Sequence, residues 1–220
     1  TGDNCDRRAA YLKAATDLLI SDLEWMAAQW AEGGEGRATV TGDPDAGVVA
    51  ILTGMGSLSY GEQAGERMRL GLMLHDPEEE HDCFSDNTHN SHFFNAVGIR
   101  NIYLGSYTRL DGSKVSGPSV SDLVRAKSPE LDTRIRAAID ETMRRMHVMV
   151  ERARTVEAYD QMIGEDNAEG NAVVQAVIDQ LAVQARAFEE AISVLGIQGV
   201  AIMGSDSLDS PAKILDGQKG

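Results

Sequence analysis

The sequence predicts an all-α fold built as a helical bundle. Apolar residues recur at three- and four-residue steps through several long segments, which is the period of an amphipathic helix. Aromatic residues make up only 5% of the chain while aliphatic residues are plentiful, and this balance suits packed helices better than a β-sandwich. No segment shows the strict alternation of a half-buried strand. With 220 residues, the chain can bury a substantial core.

The first third of the chain predicts three helices. The first covers residues 6–31 and ends at the glycine-rich stop of residues 33–36. Asp43 and Pro44 fit the cap and the first position of a second helix, because proline is tolerated where the helix needs no backbone donor. A third helix is expected over residues 61–74.

The remainder predicts four more helices and one turn. The first three cover residues 87–107, 119–126 and 128–159, and the last follows Gly170. An Asp-Gly pair in the loop 109–118 indicates a tight turn and a short hairpin. These elements predict one helical domain over residues 1–204 and a polar, loose tail over residues 205–220.

Charge and hydropathy exclude two classes of partner. The formal net charge is -15, whereas a surface that follows a phosphate backbone needs clustered lysine and arginine, so we expect no nucleic acid. The chain has no run of 18 apolar residues, and we therefore expect no transmembrane segment. An acidic surface is compatible with cation binding, but it also serves solubility.

The densest polar segment covers residues 78–89. It carries five carboxylates, two imidazoles and the second cysteine of the chain, interleaved with Phe84, Ser85 and Thr88. Burial of so much unpaired charge is too costly for a core segment. The composition therefore predicts a site on a turn that leads into the helix over residues 87–107, with Asp86 as the N-cap of that helix.

Two histidines flank this predicted turn. His81 and His89 could approach one another there, with Glu80 and Asp86 nearby. Imidazole with carboxylate is the ligand mixture that suits zinc or iron. The alternative is that these side chains only hydrogen-bond the backbone of a rigid turn. Ser85 is accompanied by no nucleophile-elbow motif, so we assign no catalytic residue.

The chain has two cysteines, Cys5 and Cys83, which form no Cys-x-x-Cys pair. In an oxidising compartment they could form one disulfide, which would connect the first helix to the polar turn. Closing so long a loop would stabilise the fold by roughly 4 kcal/mol in the chain-entropy account. Two buried free thiols are the alternative.

Four motifs carry a resemblance to a known family. They are Gly65-Glu66-Arg67-Met68, Glu79-Glu80-His81-Asp82-Cys83-Phe84-Ser85-Asp86-Asn87-Thr88-His89, Asn95-Ala96-Val97-Gly98-Ile99 and Tyr103-Leu104-Gly105. Together they resemble the imelysin family of bacterial, iron-regulated periplasmic or cell-surface proteins, some of which are described as metallopeptidases. The resemblance implies an extracytoplasmic protein made of helical bundles. Ser91-His92 departs from the family pattern, in which an acidic and then an aliphatic residue are expected.

The resemblance concerns only the C-terminal half of such proteins, which have two helical halves. Their Gly-x-His-x-x-Glu motif lies in the N-terminal half. His75 and Glu78 have the same spacing here, but Met73 replaces the glycine and Pro77 would break the helix. We expect an N-terminal imelysin half as a partner, either cleaved from this chain or supplied as a separate one.

The resemblance implies three alternative functions. The first is binding of a metal ion, iron or zinc, or of a metal-carrying ligand in iron-linked uptake or handling. The second is one half of a metallopeptidase that is inactive as this chain alone, and the third is a non-catalytic helical scaffold. A helix that carries Glu66 and Arg67 beside the acidic turn could form a polar network with a structural or a binding role. The expected ligand-binding groups are Glu66, Arg67, Glu80 and Asp86, and the candidate metal ligands are His81 and His89.

Overall fold

The computed structural model describes residues 4–217 and confirms the all-α fold. The chain divides into two compact units, one through Ala50 and one from Ile51 onward. This division is finer than the single domain over residues 1–204 that the sequence predicts. Within the described residues, no helix combines the length and the apolar character needed to cross a membrane.

The first unit contains α1 (Cys5–Trp30), α2 (Glu35–Gly42) and the start of α3 (Pro44–Ser57). The Asp43 side chain accepts the backbone N–H groups of residues 45 and 46, as the sequence predicts for a cap. Helix α2 was not predicted, because residues 33–36 indicate only the end of the first helix. The apolar side chains of α1 are exposed, and none of its residues is buried.

The second unit begins with an unusual helix. After α3 the chain continues as a π-helix (Leu58–Arg69) and then as α4 (Leu70–Leu74). The sequence predicted helix over residues 61–74 but not its π geometry. A 3₁₀ turn (Pro77–Glu79) and an irregular segment then lead into α5 (Thr88–Leu104).

A hairpin follows α5, as the Asp-Gly pair predicts. The left-handed Gly105, at φ 59°, ends the helix, and a Cβ at this position would lie 2.7 Å from that of Ser119. Strands β1 (Ser106–Thr108) and β2 (Lys114–Ser116) pair antiparallel. Helix α6 (Val120–Lys127) begins at a capping box.

Three further helices complete the core. They are α7 (Pro129–Thr155), α8 (Tyr159–Met162) and α9 (Ala168–Leu195). The central cluster of buried apolar residues draws on the π-helix, α4, α5 and α7–α9, and it includes Met68, Met146 and Leu181, all fully buried. Burial of this apolar surface is the main force that holds the helices together.

A buried polar network joins α5, α6 and α7. The Asp132 carboxylate of α7 accepts hydrogen bonds from the Tyr103 hydroxyl at 2.8 Å, from Ser121 and from Arg136 Nε at 2.9 Å. Burial raises the pKa of the Asp132 carboxyl, but the three donors outweigh burial and hold that pKa below its ordinary value.

The C-terminal segment, here residues 202–209, packs against the π-helix. It includes α10 (Asp206–Asp209) and is followed by α11 (Pro211–Gly217). Ser205 is 5% exposed and Ser207 is 1% exposed. The prediction of a loose tail from residue 205 is therefore wrong for this stretch, because its polar side chains find buried partners.

Candidate functional site

The polar segment predicted from the sequence forms an ordered turn between α4 and α5. His75 ends α4 in a left-handed conformation at φ 53°, and its Nδ1 lies 2.7 Å from the carbonyl oxygen of Ile163. The Thr88 hydroxyl accepts the backbone N–H of Asp82 at 2.9 Å, and Ser91 donates to the Asp82 carboxylate. These bonds fix the turn against the start of α5. His75 therefore has a helix-ending role.

Asp86 does not cap α5. The helix begins one residue later than the sequence predicted, after Asn87, and no side-chain hydrogen bond caps it. Asp86 is exposed and adopts φ 49°, a left-handed conformation that aspartate tolerates better than most residues. The prediction of an N-cap at Asp86 is wrong, because the left-handed backbone of the turn takes the place of the extended one that a cap residue adopts.

The centre of the site is His92 in the second turn of α5. Its side chain is fully buried, and neither ring nitrogen has a hydrogen-bond partner among the described residues. The His92 ring lies 5.4 Å from the ring of Tyr159, edge to face, and 6.2 Å from the ring of His81. The His92 carbonyl oxygen accepts Gln63 Nε2 of the π-helix at 2.6 Å. His92 therefore joins the turn, the π-helix and α8.

The environment of His92 keeps its imidazole neutral. Burial lowers the pKa of His92 to about 3, and the positive charges of His81, Arg67 and His89 act in the same direction. A neutral imidazole offers one donor and one acceptor nitrogen. Both are without a partner among residues 4–217, which is rare for buried polar atoms.

Tyr159, whose ring contacts that of His92, is buried, and so is Glu80, whose charge reaches Tyr159. Glu80 is 6% exposed, and burial raises the pKa of its carboxyl. The hydrogen bond with Thr88 lowers this pKa, and the negative charge of Asp160 raises it. Burial, and then the charge of Glu80, raise the pKa of the Tyr159 hydroxyl. In the described part of the chain, Glu80 Oε2 and the Tyr159 hydroxyl have no hydrogen-bond partner.

We define the His92 cluster as His92, Glu80, Tyr159, Gln63 and His89. Each has at least one buried polar atom without a partner among the described residues, including Gln63 Oε1 and His89 Nδ1. Leaving such groups unpaired costs roughly 1–3 kcal/mol each, so the arrangement needs a physical reason. Its atoms can accept and donate hydrogen bonds.

The two predicted metal ligands occupy different surroundings. His81 is exposed, whereas His89 is partly buried, and burial followed by the charge of Arg154 lowers the pKa of His89. Across residues 4–217, no three histidine, cysteine, aspartate or glutamate side chains are grouped closely enough to hold a metal ion. Metal binding by His81 and His89 stays a prediction.

Glu66 and Arg67 lie next to each other on the π-helix but have different partners. Glu66 is exposed, and its Oε1 accepts the Ser205 hydroxyl at 2.6 Å. Arg67 is partly buried and pairs with Glu62 at 3.2 Å. Among residues 4–217, neither of these side chains forms a hydrogen bond to the acidic turn, although the charge of Arg67 does reach His92.

The two cysteines lie in different units. Cys5 begins α1, where its Sγ accepts Arg8 Nη2 at 3.4 Å, and Cys83 lies half-buried in the polar turn. The disulfide between them stays a prediction. Phe84, next to Cys83, is fully exposed at the tip of the turn.

In the sequence, His92 is marked by its departure from a family pattern and by its spacing from His89, whereas nothing there marks Gln63 or Tyr159. The spacing of His89 and His92 places both on one face of α5. Gln63 and Tyr159 meet His92 only through the packing of distant segments, which no local pattern reveals.

Two comparisons with known proteins bear on this site. A peptidase-family model described as Imelysin matches residues 1–188, which include the polar turn, the π-helix and every member of the His92 cluster. The C-terminal segment lies beyond the matched residues. No curated protein matches the chain.

Proposed function

The chain belongs to the imelysin family, and on this premise we propose that it binds a metal ion or a metal-carrying ligand in iron-linked uptake or handling at the bacterial cell envelope. The location outside the cytoplasm is part of the proposal. It is supported by the bacterial envelope proteins that the family comprises.

The observation that carries the proposal is the His92 cluster. Six buried polar atoms on five side chains have no partner among the described residues, and a bound ligand would supply the missing partners. These atoms do not bond one another, so their partners must come from a ligand or from ordered water. The cluster is also enriched in imidazole and carboxylate, the donors that suit zinc and iron.

The donor types fit a metal, and their positions limit how it would be held. His92 would offer a neutral nitrogen, and Glu80 would offer a carboxylate oxygen. A metal-carrying ligand brings donors of its own and needs fewer from the protein than a bare ion does. Tyr159 and Gln63 would then hydrogen-bond the organic part of that ligand.

His81 connects this interior to the surface. It is exposed, and its ring faces that of His92 in a stacked arrangement. Asp86 and Arg67, with Glu66 on the same π-helix as Arg67, remain our proposed ligand contacts nearer the solvent. The net charge of -15 favours the approach of cations through its long-range field.

Thermal unfolding of the full 220-residue chain tests the proposal. The metal-free protein is melted alone, with Zn²⁺, with Fe²⁺ and with ferric citrate. Because a ligand that binds only the folded state at 100 times its Kd stabilises by about 2.7 kcal/mol, we expect the melting temperature to rise by roughly 5–10 °C with at least one of them.

Two variants make this test specific. His81→Ala and His92→Leu should reduce the shift, whereas His147→Ala should retain it, because His147 is exposed and contacts only Phe93 among the aromatic rings. Equal melting curves with and without all three probes would refute ligand binding by this chain. The scaffold alternative would then remain.

The family name favours a second candidate, one half of a metallopeptidase. Glu66, Arg67, His81 and Asp86 would then support a metal site whose His-x-x-Glu motif lies on another polypeptide segment. This chain alone should cleave no peptide. Mixed with a chain that carries the motif, it should give chelator-sensitive cleavage, and an inactive mixture would count against this candidate.

A further inference from the structure

Three glycines of the second unit are in close contact with the C-terminal segment. A Cβ added at Gly61 would lie 2.5 Å from the carbonyl oxygen of Met203, and one at Gly65 would lie 2.3 Å from Ser205 Cβ. At Gly56 the nearest atom is Ile202 Cδ1, also at 2.5 Å. Only glycine permits the two chain segments to approach this closely.

Hydrogen bonds fix the same contact. The Met203 backbone N–H donates to the Ser57 hydroxyl at 3.0 Å. The Ser207 hydroxyl donates to the Gly65 carbonyl oxygen at 2.9 Å, and the hydroxyl of Tyr60 donates to Asp209 Oδ1 at 2.6 Å. With the bond from Ser205 to Glu66 described above, the segment is attached along the length of the π-helix.

The π-helix is the element that needs such support. It spans 12 residues, whereas π geometry usually occurs as a single turn. Its last turn closes from the Leu70 N–H to the Gly65 carbonyl oxygen, and Ser207 bonds that same oxygen. A return to α geometry would rotate the side chains after Leu58 around the helix axis, because each hydrogen bond would close over four residues instead of five.

The rotation would change the site. Gln63 lies between Gly61 and Gly65 and is fully buried, and its amide holds the His92 carbonyl oxygen. The π-helix is also bonded to α9, where Gln184 Nε2 donates to the Ser59 hydroxyl at 3.0 Å. The register of the π-helix therefore sets where Gln63 meets α5.

We propose that the C-terminal segment is a strap that holds the π-helix in register and so positions Gln63 against His92. The strap, residues 202–209, lies beyond the residues 1–188 that the family model matches. Its effect on ligand binding rests on the proposed function, whereas its effect on the π-helix does not.

Hydrogen exchange of the amides of residues 58–69 tests the strap in the full chain. Gly61→Ala forces the Met203 backbone to move, and Ser207→Ala removes the hydroxyl's bonds to the Gly65 carbonyl oxygen and to the Ser205 hydroxyl without adding volume. Each should speed exchange of these amides at least tenfold relative to wild type. Gly54→Ala is the matched control, because its added Cβ meets no atom within 4 Å, and its exchange in this stretch should equal wild type.

The outcomes separate the two proposals. Unchanged exchange in Ser207→Ala and in a folded Gly61→Ala would overturn the strap. If Zn²⁺ binds wild type, its affinity should fall at least fivefold in both variants and not in Gly54→Ala. Faster exchange with equal Zn²⁺ affinity would overturn the positioning of Gln63. Absence of Zn²⁺ binding to every variant would count against the proposed function, while exchange would still decide the strap.

Discussion

Replacing His92 by leucine should stabilise the ligand-free protein. The side chain is fully buried, and its two ring nitrogens have no partners among the described residues, so the fold bears their desolvation without compensation. Leucine is similar in size and buries no polar atom.

The structure bounds the size of this effect. Two unpaired nitrogens cost roughly 2–3 kcal/mol at the lower end of the usual range for buried polar groups. The variant would lose the edge-to-face contact with Tyr159 at 5.4 Å, worth about 1 kcal/mol. The free energy of unfolding should therefore rise by about 1–2 kcal/mol, which for a unit of this size raises the melting temperature by roughly 2–8 °C.

The assay is chemical and thermal unfolding of metal-free protein at pH 7.5. His147→Leu is the matched control and should stay within about 0.5 kcal/mol of wild type, since His147 is exposed. A His92→Leu variant that melts below wild type would refute the reasoning. It would show that the two nitrogens have partners whose loss costs more than their burial.

Four further expectations concern His92, Asp132, Tyr159 and the two cysteines. The pKa of His92 is about 3 in the folded protein and 6.5 in the unfolded chain, so only the unfolded chain takes up this proton between those pH values. The free energy of unfolding of wild type should therefore fall by about 1.4 kcal/mol per pH unit from pH 6.5 down towards pH 3, and less steeply in His92→Leu. Parallel pH profiles of the two proteins would contradict this. Asp132→Ala should destabilise by about 3 kcal/mol, because it leaves three donors without their carboxylate, and a loss below 1 kcal/mol in urea unfolding would count against the network. Tyr159→Phe should leave the melting temperature equal or higher, since the hydroxyl it removes has no partner among residues 4–217, and a clear drop would reveal an unrecognised bond. Protein kept from reductant and then denatured should show Cys5 and Cys83 linked by mass analysis, and two alkylated thiols would exclude the disulfide.

Local signals predicted most of the fold. The Asp-Pro pair before α3 and the Ser-Pro pair before α7 place the starts of these helices, because caps depend on adjacent residues alone. The π geometry of Leu58–Arg69 was not predictable in this way. Its residues have ordinary helical spacing, and the contacts that accompany the π register come from residues 202–209.

The sequence predicted a polar turn before α5, and the structure has one there. The binding roles assigned to its residues stay predictions. The buried members His92 and Tyr159 were not assigned, because burial depends on how α5 and α8 pack and not on the local pattern. Glu66 was expected beside the acidic turn, but it is held by Ser205, which the sequence analysis assigned to a loose tail.

The close packing of the C-terminal segment on the π-helix has a consequence for protein synthesis. The ribosome adds roughly 5–20 residues per second, so Ser205 is made some 7–30 s after Arg69. Until then the glycine face of Leu58–Arg69 lacks the residues that cover it in the finished fold. In a nascent chain this face therefore stays uncovered until residues 202–209 have been added, whereas refolding from denaturant offers both segments at once.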